Sequence, residues 1–176
     1  TAVGYLYSLY CNVMRTLRVK PKEVVSIYAT CDIPKLPSGG MPKTDVLVEI
    51  ELVSGKETYT FSCKRSSAER VSVHEYTAEA FSKVLNPDDV ELKELLVEFQ
   101  NAGGVRAMGE ERAERLQRRL TGYRDALCKW VLGGIGGEGE PAVQWASHII
   151  TVDESINSYN IAAIEDYILE YDKQGI

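Results

Sequence analysis

Two alternating stretches restrict this chain more than any other feature. Val46-Leu47-Val48-Glu49-Ile50-Glu51-Leu52 and Glu57 through Lys64 flank a Gly55-Lys56 pair. Alternation in a strand sends successive side chains to opposite faces. Val46, Val48, Ile50 and Leu52 therefore share one side, and Asp45, Glu49 and Glu51 the other, with Leu47 among them. Gly at the first central place of a two-residue turn favours a hairpin. Turning at Gly55-Lys56 sets Ser54 against Glu57, Glu49 against Ser62 and Leu47 against Lys64. Tyr59, Phe61 and Cys63 then join the apolar side.

The polar side of that hairpin gathers Asp45, Glu49, Ser62 and Lys64 on one surface. Directly opposed Cβ atoms lie about 4.5–5.5 Å apart. Carboxylate oxygens at such range suit Mg²⁺, which takes hard oxygen ligands and keeps several waters. A neighbouring lysine can position a water or steady charge on a phosphate. The same alternation equally fits a solvated outer face with Glu/Lys pairs across strands.

Elsewhere the pattern is mainly helical. Leu6, Leu9, Tyr10, Val13, Met14 and Leu17 recur at helix spacing, and Val24–Ala29 reads as a short strand. Ser72 with Glu75 forms a capping box that predicts a helix over 73–85. Asn86-Pro87-Asp88-Asp89 starts a second helix that ends at Gly103-Gly104. A third spans 109–132, with i,i+4 pairs Glu111/Arg115 and Glu114/Arg118 along its basic face. After a glycine-rich loop, 145–152 and 156–161 read as strands, and a last helix holds Ile164, Tyr167, Ile168 and Tyr171. Helices alternating with few strands predict an α/β or α+β domain built on one mixed sheet.

The net charge of −6 counts against a generic nucleic-acid binder, but its distribution matters. Of 26 acidic and 20 basic residues, eight and one lie in 134–176, so 1–133 is close to neutral. The four cysteines, Cys11, Cys31, Cys63 and Cys128, contain no C-x-x-C pair, which argues for reduced, mostly core thiols in a cytoplasmic protein. No apolar run reaches the roughly 18 residues of a membrane span.

At these residues the chain resembles the MspI-like restriction endonucleases of the PD-(D/E)xK nuclease superfamily. Gly39-Gly40-Met41-Pro42-Lys43-Thr44-Asp45 matches the family's GG-x-PKTD, and Ser62-Cys63-Lys64-Arg65-Ser66-Ser67 its x-x-K strand with a serine pair. Val71-Ser72-Val73-His74-Glu75-Tyr76, the ELKEL at 91–95, Gln100-Asn101 and Ile164-Glu165-Asp166-Tyr167 follow in order. The resemblance implies a restriction-endonuclease-like mixed sheet flanked by helices. It implies a single nuclease-like domain over 1–176, shorter at both ends than the family. It further implies a Mg²⁺-dependent type II site-specific deoxyribonuclease that acts on double-stranded DNA at a short palindrome, leaves 5′-phosphates, and uses no membrane. A homodimer is one way such a chain would cut both strands.

On that resemblance Asp45 is the metal-binding aspartate and Lys64 the catalytic lysine. Ser62 stands in the catalytic set where the superfamily has Asp or Glu and MspI has Asn. Glu49, opposite Ser62 in the expected register, would supply the missing metal-binding oxygen. Lys43, Thr44, Arg65, Ser66, Ser67, Ser72 and Gln100 are the expected DNA contacts. The serine at 62 also leaves open a catalytically silent relative that binds DNA or a protein.

Overall fold

The computed structural model describes residues 10–66, 76–153 and 158–173, the side chains of residues 65, 66, 153, 158 and 171–173 excepted. These residues fall into two compact units, one built from 1–72 and 132–176 and the other from 73–131.

The first unit holds a five-stranded mixed sheet in the order β1-β2-β3-β4-β5. Its strands are β1 (Val24–Thr30), β2 (Val46–Leu52), β3 (Gly55–Ser66), β4 (His148–Asp153) and β5 (Ser158–Ala163). Only β3 and β4 run parallel; the other neighbours are antiparallel. A parallel step cannot be closed by a tight turn. The long excursion between residues 66 and 148 therefore accommodates the second unit.

The faces of the hairpin follow the alternation. Ile50, Leu52 and Phe61 are buried on one side with Ile161, beneath Met14 and Leu17 from the helix at residues 10–16 (α1) and the adjoining turn. The register differs from expectation. Leu52 pairs with Gly55 and Val46 with Phe61, so the turn is Val53-Ser54 and Glu49 faces Thr58 instead of Ser62. A slip of four residues is even, so every side chain keeps its face while its partner changes.

The second unit is helical: α2 (Ala78–Leu85), α3 (Val90–Ala102), the short α4 (Val105–Met108) and α5 (Glu110–Gly122). The chain leaves it through α6 (Arg124–Gly133), and α7 (Ile164–Lys173) follows β5. Thr77, not Ser72, caps α2, its hydroxyl accepting from Ala80 N at 3.2 Å; residues 76–77 are not helical, and the Ser72/Glu75 box lies outside the described residues. Asp89 caps α3 through Leu92 N at 3.0 Å, and Gly103 ends it at φ 76°, a left-handed position that glycine takes without steric cost. The expected helix over 109–132 breaks at Tyr123, whose hydroxyl donates to Asp89 Oδ2 and accepts from Asn86 Nδ2. None of the four cysteines is buried, contrary to the expected core thiols; Cys31 and Cys63 are exposed.

Candidate active site

Where β2 begins, the chain delivers Asp45 beside the middle of β3. Asp45 N donates to Phe61 O at 2.8 Å, extending the ladder by one step and setting Asp45 beside Ser62. The carboxylate turns across the strand: Oδ2 accepts from Cys63 N at 2.6 Å and lies 3.5 Å from Ser62 Oγ. Ser62 is completely buried, so its hydroxyl is directed within the protein rather than into solvent.

Two ammonium groups share this field. Burial pushes the Lys64 amine below its ordinary value, and the nearby Lys43 charge pushes it further, while Asp45 and Cys63 oppose both. Burial lowers Lys43 too, against the pull of Asp45. Asp45, Lys43 and Lys64 therefore feel one another's charges, as the sequence led one to expect for Asp45 and Lys64. The Cys63 thiol is pushed up by its surroundings and then by Asp45, which disfavours a nucleophilic thiolate.

Glu49 does not join them. It pairs with Lys56 Nζ at 2.6 Å, and four residues separate it from Asp45 along the strand, about 13 Å at the usual rise. The expected link from Glu49 to Ser62 rested on the turn at Gly55-Lys56, and the observed register removes it. Among the described residues no group of three His, Cys, Asp or Glu side chains is placed to hold a metal ion. What remains is the exposed Asp45 carboxylate, with the Ser62 hydroxyl directed within the protein and so not offered to an ion. A hard divalent ion is commonly held by one or two carboxylates with substrate phosphate and retained waters completing the shell.

The other expected contacts are scattered. Thr44 is buried, 3% exposed, and among the described residues its hydroxyl has no hydrogen-bond partner, so it does not offer a surface contact. Gln100 accepts from Ala78 N at 2.6 Å and so ties α3 to the start of α2. Arg65 and Ser66 end β3, directly after Lys64, with side chains outside the description; Ser67 and Ser72 lie outside the described residues altogether.

One residue that the sequence did not reveal organises the approach to Asp45. Gln144 is buried, 7% exposed; its amide donates to Pro34 O at 2.9 Å and Lys35 O at 2.8 Å, and its Oε1 accepts from Glu140 N at 2.9 Å. Its carbonyl receives Lys43 N and Thr44 N at 3.2 and 3.3 Å. Its partners in 34–35 are about a hundred residues away, so no local pattern could mark it. Gln144→Leu keeps the volume but strands three backbone groups. It is expected to cost about 2–3 kcal/mol in urea denaturation, the scale of a buried unmade hydrogen bond.

The family model described as restriction endonuclease MspI matches residues 2–175. The chain belongs to that family. The type II restriction enzyme MspI of Moraxella sp is 23% identical over 169 residues, covering 93% of this chain and 64% of that enzyme. The type II restriction enzyme BsuFI of Bacillus subtilis is 23% identical over 175 residues, covering 96% of this chain and 44% of its own length. The chain thus spans less than two thirds of either relative. A crystal structure of MspI in complex with its cognate DNA matches with a TM-score of 0.79 at 22% identity, over 93% of this chain and 64% of that one. The mixed sheet with flanking helices is therefore the restriction-endonuclease fold of the MspI family, as the motif order implied.

Proposed function

We propose that this chain is a type II restriction endonuclease, a divalent-metal-dependent enzyme hydrolysing phosphodiesters of double-stranded DNA to leave 5′-phosphates. The observation that carries the reading is the convergence of Asp45 and Lys64 on adjoining strands, with Lys43 in the same field. Family membership and the fold shared with a DNA-bound relative support it.

In this reading Asp45 is the carboxylate that holds Mg²⁺. When bound, the ion would act as a Lewis acid and lower the pKa of a coordinated water. The protein supplies the rest. Cys63 N–H fixes the Asp45 carboxylate by a strong charge-assisted bond and so sets the direction of its free oxygen. Lys64, kept near Asp45, steadies negative charge that develops on the phosphate. Lys43 adds a second cation for the approaching backbone, and Arg65 with the serines after it continues the strand toward DNA. Ser62 orients the carboxylate through its hydroxyl, in place of a second acidic ligand. A single carboxylate predicts weak metal binding without DNA, because the substrate phosphate must complete the shell.

The test is incubation with supercoiled plasmid and Mg²⁺, with Lys64→Ala alongside. Discrete fragments are expected from the wild type, with cleavage at least about a hundredfold slower in the variant. A wild type that shifts DNA in a salt-sensitive manner yet never cuts would favour the silent DNA-binding relative, to which the serine at 62 points. End-sequencing of the fragments reads the recognised bases and the 5′-phosphate.

A further inference from the structure

The nuclease reading uses one residue of β3, but sheet register carries its row across two more strands. Lys64 pairs with Thr151 of β4, and Thr151 pairs with Asn160 of β5. Residues paired across a ladder share a face, so the three side chains leave the sheet on the same side. They stand about 5 Å apart and span about 10 Å.

Burial separates this row from its neighbours. One step back along the same face, Ser62 and Ile149 are 0% and 1% exposed. At the Lys64 row the surface opens: Lys64 and Thr151 are half-buried and Asn160 is exposed. The opposite face of the same strands is apolar, with Ile161 buried in the core and Ile150 and Tyr159 packed against it. Fold stability thus accounts for the inward residues, and neither Thr151 nor Asn160 belongs to that apolar core. Asparagine is disfavoured in strands, so strand propensity does not explain Asn160 either.

We propose that Thr151 and Asn160 are phosphate-contacting residues that extend the Lys64 site across the sheet and fix the DNA backbone beside the scissile group. This rests on the nuclease reading above. A hydroxyl and an amide both donate to phosphate oxygen, and such contacts set the register of a protein on DNA without reading bases. The row's length corresponds to about three nucleotides of axial rise on one strand, at about 3.4 Å each, so it reaches past a single phosphate. Being neutral, both residues add directed hydrogen bonds and release no counterions.

That last property defines the experiment. Binding of a short random-sequence duplex is measured in EDTA across a salt series, and plasmid cleavage in Mg²⁺, for wild type, Thr151→Val, Asn160→Ala and the double variant. The double variant is expected to bind about tenfold more weakly with the slope of log affinity against log salt unchanged, and to cut subsaturating plasmid correspondingly more slowly. Lys43→Ala, by contrast, should reduce that slope by about 0.9. Thr151→Ser and Asn160→Ser, which keep a donor, are expected to retain most of the affinity. Binding and cleavage within twofold of wild type in the double variant would overturn the assignment. So would a loss of affinity that appears only in variants whose unfolding midpoint also falls. A wild type that neither binds nor cuts would instead overturn the nuclease reading itself.

Discussion

Asp45→Asn is expected to abolish metal-dependent DNA cleavage, lowering the rate by at least about a thousandfold while leaving the fold intact. The rate loss corresponds to about 4 kcal/mol of transition-state stabilisation, within what a bound divalent ion supplies. Asparagine is the informative substitution because its Oδ1 can still accept from Cys63 N–H, the bond that anchors the side chain at 2.6 Å. What it removes is the negative charge. That charge opposes the effect of burial on both Lys43 and Lys64, and in the proposed reading it is what would hold the ion. Losing it is therefore expected to weaken metal binding and further disfavours the charged form of both lysines. Plasmid cleavage rates, paired with a thermal melt showing an unchanged midpoint, check the result. Residual cleavage within tenfold of wild type would mean that the ion is held elsewhere.

The shared face of Asp45, Ser62 and Lys64 was legible in the sequence because strand alternation survives an even change of register. Turning at Gly55-Lys56 instead of Val53-Ser54 displaced the pairing by four residues, an even number, so Asp45, Ser62 and Lys64 stayed on one face. Period-two patterning cannot distinguish such registers, and the glycine drew the turn toward itself. Glu49 lies on the expected side for that reason, but its neighbours are Thr58 and Lys56. The observed register in fact serves the site better, since it sets Asp45 beside Ser62 without an intervening pair. Gln144 and the Thr151–Asn160 row were out of reach for another cause. Both depend on which distant segments become neighbours, and the parallel β3–β4 step is closed by more than 80 residues of chain.

Helix faces carry the same lesson. The spacing predicts that the basic run on α5 is held by its own i,i+4 pairs, yet Arg112 binds Glu98 at 2.5 Å, Arg115 binds Glu91, and Arg119 binds Glu91 at 2.6 Å and Asp89 at 3.2 Å. Arg112, Arg115 and Arg119 recur at intervals of three and four, as do Glu91, Glu94 and Glu98 on α3. Two stripes of equal spacing and opposite sign are a signal for adjacent helices, and it was present in the sequence. These arginines are consequently engaged with acidic groups of α3 and its N-cap. The pairs to Glu91 and Glu98 are partly open to solvent, that to Asp89 reaches a buried carboxylate, and together they fix which face of α5 meets α3.

The stability of that pairing resides in the apolar layer between the helices, and Leu95 is where it should fail. Leu95 is 0% exposed, as is Leu92, in a cluster with Leu85, Leu96, Met108 and Leu116. Truncating a fully buried leucine removes its transfer free energy and leaves a cavity that the surroundings only partly fill, so Leu95→Ala is expected to cost about 3 kcal/mol. For a chain of 176 residues that lowers the thermal midpoint by roughly 6–12 °C. Val97 lies on the same helix at 40% exposure, and Val97→Ala is expected to cost less than about 1 kcal/mol. Melts followed by helical circular dichroism should separate the two variants clearly. Equal midpoints would mean that α3 does not organise the helical unit. The contrast isolates packing from helix propensity, because both substitutions introduce the same strong helix former.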